Sequence, residues 1–242
     1  MRLPFQARLE RQRTRAALPE ALRARLAALK RARGGFAAGR ALRAAPLALA
    51  RFVALDVETT GPRMDRDRII AIGAVAVAER SVGHRDAFAA VLRQRRSSSV
   101  DNILVHRIGG QQQLGGQAGA EALVELLEFM GSAVAVAFRA EFDATVLARE
   151  LELELGVRVP RRFVDLAVLL PALFPGTQND TLEDWLGHFS LQPIGRHDAL
   201  ADAYMSAQLF LIALDTAERR GARTTGGLMS FETAQRWLGW RR

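Results

Sequence analysis

The sequence predicts an α/β domain behind a basic helical arm. Three observations carry that prediction. Short apolar runs rich in β-formers follow one another closely at residues 51–58 (RFVALDVE), 69–78 (IIAIGAVAVA) and 84–92. A later strand-like run at 133–138 (AVAVAF) is bracketed by segments with helical spacing. The first fifth of the chain is rich in Arg and Ala and carries its own leucine stripe.

Taken in order, Pro19 opens a helix, Leu18, Leu22, Leu26 and Leu29 fall on one stripe, and Gly34-Gly35 end it. Residues 51–58 read as a buried strand ending in acids, and the Gly- and Pro-punctuated loop 61–68 (GPRMDRDR) leads to a second strand at 69–78. With the third run, these short connections give an antiparallel meander. Residues 93–99 are charged and Ser-rich, and 109–119 (GGQQQLGGQAG) are polar; both read as loops. Leu123, Leu126, Leu127 and Met130 set a helix at 120–130, and 133–138 is too short and β-branched to be anything but a central strand. Helices follow at 142–155, 164–173, 182–189 and 198–219, and Ser230 caps a final segment through Trp240 that docks on the domain. The expected organisation is an arm (1–50), one catalytic domain (51–220) and a helical tail (221–242).

Composition narrows the chemistry. A chain of 242 residues with 49% apolar residues supports one sizeable core. There is no cysteine, so disulfides and thiolate chemistry are excluded and any metal must bind oxygen or imidazole. No apolar run approaches the roughly 18 residues of a membrane span, and the chain reads as soluble and cytoplasmic. The net charge of +8 is unevenly spread: residues 1–50 hold twelve of the 34 basic residues and two of the 26 acids, leaving the remainder slightly acidic, with 22 basic and 24 acidic residues. The arm therefore reads as a phosphate-backbone or protein-docking element, or a solvated helix. An Arg-rich start also resembles a transit peptide, against which stand its scarcity of Ser and Thr and its well-formed helix.

Three acid-bearing segments supply the candidate site: Asp56-Val57-Glu58, Glu141-Phe142-Asp143, and His197 to Asp202. Asp56 and Glu58, two apart on a strand, leave the same face. Two carboxylates held that close behind Phe52, Val53, Ala54 and Leu55 repel unless a divalent cation lies between them. Asp143 falls in the first turn of its helix, where a carboxylate gains from the helix dipole. Asp202, flanked by Ala199, Leu200, Ala201 and Ala203, is poorly placed unless it faces a polar cavity. His197, in the loop ahead of that helix, is able to take a proton at neutral pH from a metal-bound water.

The runs ALDVETTG, RIIAIGAV, AEFDATVL and TLEDWLGHFSLQPIGRHDALADAYMSAQLF resemble the DEDDh exonuclease family, the group that includes the proofreading epsilon subunit of bacterial DNA polymerase III. The likeness covers roughly residues 51–215. It implies an RNase H-like fold, with a mixed five-stranded sheet between helices and its first three strands antiparallel. It also implies that Asp56, Glu58, Asp143 and Asp202 bind two divalent ions, Mg²⁺ or Mn²⁺, and that His197 is the general base. The implied reaction is 3′-to-5′ release of 5′-mononucleotides, with single-stranded DNA 3′ ends as partner and a polymerase or other protein as a further partner through the arm. Thr59, Thr60, His106 and Arg139 fall where the family meets its substrate. His106, in Val105-His106-Arg107-Ile108, is similar to the family's HGI segment. The chain departs from the family pattern where HNAxFD becomes Phe138-Arg139 and where IIEIGAV becomes IIAIGAV at Ala71. These departures put substrate grip in doubt and leave a non-catalytic nucleic-acid or partner-binding module as the alternative.

Overall fold

The computed structural model describes residues 4–32, 39–159, 163–177, 179–195 and 197–239. Helices α1 (Pro4–Ala17) and α2 (Glu20–Ala32) form the arm, and α3 (Gly39–Ala44) leads into the domain. The Gly34-Gly35 stop and Trp240 lie outside the described residues. Leu18 and Leu26 are buried and Leu22 and Leu29 pack beside them, so the predicted stripe is the docking face of the arm.

The meander forms as β1 (Phe52–Thr59), β2 (Ile69–Ala78) and β3 (Ser81–Val91). Next come α4 (Val100–His106), α5 (Gly110–Gly115) and α6 (Gly119–Met130), then β4 (Val134–Ala137) and α7 (Glu141–Leu155). The chain continues through β5 (Phe163–Asp165), α8 (Leu166–Leu173), α9 (Leu182–His188), α10 (Ala199–Arg219) and α11 (Thr225–Gly239). The sheet order is β3-β2-β1-β4-β5. Its first three strands are antiparallel, and β4 and β5 join parallel. This is the mixed five-stranded, helix-flanked RNase H-like fold.

The sequence reading differs at several places. Residues 109–119 contain α5, and Gln113 on it is fully buried, donating through Nε2 to Ser98 Oγ (3.0 Å) and the Ile108 carbonyl (2.9 Å). The helix expected from 164 starts at Leu166, because Val164 and Asp165 still pair with β4 and the Asp165 carboxylate caps α8 through the N–H of Ala167. Helix α4, and α1 and α3 within the first fifty residues, have no counterpart in that reading, and the last helix starts at Thr225, so Ser230 is not its cap but lies inside it, its hydroxyl donating to the Gly227 carbonyl at 2.6 Å.

Strand alternation sorts the core. Phe52 and Ala54 on β1 face a layer built from α8, α9, α10 and α11, whereas Val53, Leu55 and Val57 face α2, α6 and α7. Asp56 and Glu58 continue the Phe52–Ala54 side, so both acids point at the layer containing α10.

Candidate metal and hydrolytic site

The site is built where β1 outruns β4. Parallel pairing between them stops at Ala54–Val136, and the N–H of Val57 donates instead to Asp143 Oδ1 at 3.2 Å. A carboxylate in the first turn of α7 thus takes over the donor of the missing strand and is held beside Asp56 and Glu58.

Asp202 reaches the same place through Gly73. In the β1–β2 register Gly73 lies opposite Asp56, and a Cβ built on Gly73 would stand 2.1 Å from the carbonyl carbon of Ala199. The backbone at the start of α10 therefore rests directly on β2. Asp198 caps the helix by accepting from the N–H of Ala201 at 2.9 Å, and Asp202 follows one turn later. His197 precedes the cap, exposed and with left-handed backbone (φ 56°). Glu58, His197 and Asp202 each present a ligand atom, all within 4.8 Å of one another.

No arginine or lysine among the described residues pairs with Asp56, Glu58, Asp143 or Asp202, and the carboxyls respond accordingly. Burial, then the charges of Asp143, Asp202, Glu58 and Asp198, holds Asp56 well above the usual carboxylate range. Burial, with Asp202 and Asp198 adding, pushes Glu58 up to about 7. Asp143 is pushed up to about 8 by burial, partly offset by backbone donors including the Val57 N–H. Asp202 rises to about 6, again through burial, with His197 restraining it. Crowded, buried carboxyls of this kind suit a hard divalent cation, which would relieve both the desolvation and the mutual repulsion. The donor set, all oxygen with one imidazole, fits Mg²⁺ or Mn²⁺.

The other candidate residues surround this cluster. Thr59 is buried and its hydroxyl donates to the Gly61 carbonyl (2.6 Å). The Thr60 hydroxyl donates to Asp67 Oδ1 (3.2 Å) and accepts from the Arg68 N–H (3.0 Å), so both threonines close the loop after β1. His106 is buried, with Nε2 2.8 Å from Asn102 Oδ1 and Nδ1 accepting from the Ile108 N–H at 3.0 Å. It also lines a cavity of about 390 Å³ that His197 and Asp198 line too. Ala71, opposite Glu58 in the register, lines that cavity too. Arg139 stands in a left-handed turn before α7; its N–H donates to Asp165 Oδ1 (3.0 Å) and its guanidinium to the Asp180 carbonyl (2.9 Å). Phe138 packs against the core beside α10.

Three residues that shape the site escaped the sequence reading: Gly73, Asp198 and Asp165. A lone glycine inside a strand signals close backbone approach, and an Asp before an apolar helical run signals a cap; both signals were present.

The sequence profile of the RNase T exonuclease family matches residues 53–210. Among curated relatives, the PolC-type DNA polymerase III of Thermotoga petrophila is 29% identical over 177 residues, covering 71% of this chain and 12% of that protein. The DNA polymerase III epsilon subunit of Treponema pallidum is 29% identical over 161 residues, 66% of this chain and 74% of that subunit. The chain thus spans only about an eighth of the PolC-type polymerases it matches. Among solved structures, E. coli exonuclease I in complex with a dT13 oligonucleotide superposes with TM-score 0.60 at 16% identity, covering 71% of this chain and 42% of that one. Exonuclease X in complex with 5′-overhanging duplex DNA gives 0.57 at 21% identity, covering 76% and 99%.

Proposed function

Because the chain belongs to the RNase T family of exonucleases, we propose that it is a metal-dependent 3′-to-5′ exonuclease releasing 5′-mononucleotides from DNA 3′ ends. The observation that carries this reading is the convergence of Asp56, Glu58, Asp143 and Asp202 on one uncompensated patch, with His197 beside it. Asp56, Glu58, Asp143 and Asp202 would hold two divalent ions, which would supply charge neutralisation on the scissile phosphate and a more acidic water.

The residues of the chain do the rest. Asp143 is kept in place by the Val57 N–H, and Asp202 by the cap of α10 on Gly73. His197 lies at the exposed side, where a ring nitrogen takes the proton of the attacking water. Attack at phosphorus breaks the bond to the 3′ oxygen of the preceding nucleotide. Thr59 and Thr60 at the end of β1, and His106 in the lining of the cavity, bound the terminal nucleotide. A phosphate contact from Arg139 requires its guanidinium to leave the Asp180 carbonyl.

The test is a 5′-labelled single strand incubated with Mg²⁺ or Mn²⁺, beside an Asp56→Ala control. The expected result is a ladder shortening from the 3′ end that is abolished by EDTA and lost in the control. An intact strand at full metal loading would instead support the non-catalytic module. Parallel incubations with RNA and with duplex ends report substrate preference.

A further inference from the structure

Arg107 sits where an arginine is conformationally costly. It ends α4 with φ 59° and ψ 15°, its N–H closing the helix on the Ile103 carbonyl at 2.7 Å. Glycine takes this left-handed cap without strain, and a long side chain does not. Nothing in the packing requires arginine: the residue is exposed, and its guanidinium makes no hydrogen bond or ion pair with any of the described residues.

The position of the side chain is informative. Arg107 lines the cavity of about 390 Å³ that His197 and Asp198 also line, together with the small side chains of Ala71, Ala89 and Ala90. Ala71 is opposite Glu58, so one end of the cavity adjoins the carboxylate cluster. A polyanionic strand led toward those acids is repelled until it meets a cation, and the chain beyond residue 50 has a small acidic excess. A free guanidinium on the cavity rim is suited to fork onto phosphate oxygens.

We propose that Arg107 grips a backbone phosphate of the substrate strand as it crosses the cavity toward His197. This rests on the exonuclease reading of the site. It makes Arg107 a substrate-binding residue that accepts backbone strain in return for a charge at this position.

The test compares the full chain with Arg107→Gly, Arg107→Ala and Arg107→Lys, reading melting temperature, steady-state constants on a 5′-labelled oligo-dT, and anisotropy of a dye-labelled oligo-dT in Ca²⁺. Arg107→Gly is expected to melt higher than the wild type yet raise KM about tenfold, with kcat within about twofold, the loss expected for one charge-assisted contact. The slope of log affinity against log salt should fall by about 0.7, the share of one single-strand phosphate contact. Arg107→Ala should show the same weaker binding without the gain in melting temperature, and Arg107→Lys should recover part of the affinity. Wild-type affinity and salt slope in Arg107→Gly would overturn the inference whatever the melting temperature does. A wild-type chain that shortens no strand overturns the exonuclease reading instead, and the anisotropy comparison then decides Arg107 by itself.

Discussion

A methyl group on Gly73 would overlap the backbone of Ala199, so Gly73→Ala has to lift the start of α10 off the sheet. Asp202 and His197 move with that helix end. The expected outcome is a loss of about 1–3 kcal/mol from overpacking, with a fall in kcat on the order of a hundredfold from misplacement of Asp202 and His197 by about 1 Å. Urea titration and single-turnover assays measure the two; unchanged turnover would mean that α10 tolerates the shift. The acids themselves give a second outcome. Glu58, Asp143 and Asp202 have folded-state values of about 7, 8 and 6 against ordinary values near 4. The metal-free folded chain therefore holds more protons than the unfolded chain between about pH 4 and 8, and its stability falls as pH rises through that window. Melting in EDTA should thus decline from pH 5 to pH 8, and Asp56→Asn should flatten the decline. Added Mn²⁺ should raise the melting temperature far more at pH 8 than at pH 5, and an equal gain at both would count against carboxylate ligation. These carboxyls were legible in the sequence because each follows or interrupts an apolar run. Gly73 carried only the general signal of a close backbone approach, since its role depends on which helix lands on it.

Element boundaries show where periodicity runs out. The strands of the meander and α6, α7 and α10 are long enough for their spacing to declare them. Strand β5 has three residues and passes straight into α8, so no period is visible. Helix α5 begins and ends on glycine, two of its six residues, and its stability comes from buried Gln113 rather than propensity. Ion pairs between distant elements are equally silent in sequence. Arg68, at the entry to β2, binds Glu150 of α7 through Nε at 2.7 Å and Nη2 at 3.0 Å, and Glu150 is only 1% exposed. Arg68→Ala strands that carboxylate, with Arg149 at 3.5 Å as partial relief. The expected cost is about 2 kcal/mol, below the usual penalty for breaking a buried pair because of that relief. Glu154→Ala, which removes the more exposed partner, should cost under about 1 kcal/mol. Chemical denaturation of both variants checks the order; equal costs would show that burial of Glu150 does not set the penalty. At the far side, Arg236 of α11 bonds Asp165 Oδ2 at 3.4 Å and Glu232 Oε1 at 2.9 Å, tying the tail to the residue that holds the Arg139 turn.

Across the whole molecule, the positive charge and the acid cluster are separated. The arm carries the positive excess, yet Arg11 is spent on Glu152 (2.6 Å), Arg15 on the Gly156 carbonyl (2.8 Å) and Arg25 on both oxygens of Glu128 (2.9 and 2.6 Å). Gly156 admits α1 because a Cβ there would stand 2.2 Å from the Arg11 carbonyl oxygen. The contacts of Arg11 and Arg15 lie toward the end of α7 opposite Asp143, about 14 to 20 Å away at the usual helical rise, and that of Arg25 lies on α6. Arg8, Arg13, Arg23 and Arg31 remain exposed on the outer face. Removing residues 1–38 leaves α3 in place, with the Ala45 carbonyl still receiving the Thr225 N–H at 3.0 Å, but uncovers the apolar surface of α6 and α7 beneath Leu18 and Leu26. The truncated chain should melt lower, and Leu26→Ala alone should cost about 2–5 kcal/mol. At a temperature where both chains are folded, turnover on a short strand should be unchanged, since none of the described residues of the arm touches the acid cluster. On a long strand the outer arginines can meet phosphates, and truncation should then raise KM and flatten its salt dependence. Equal KM values for the two chains on long strands would assign the arm to packing and protein docking alone.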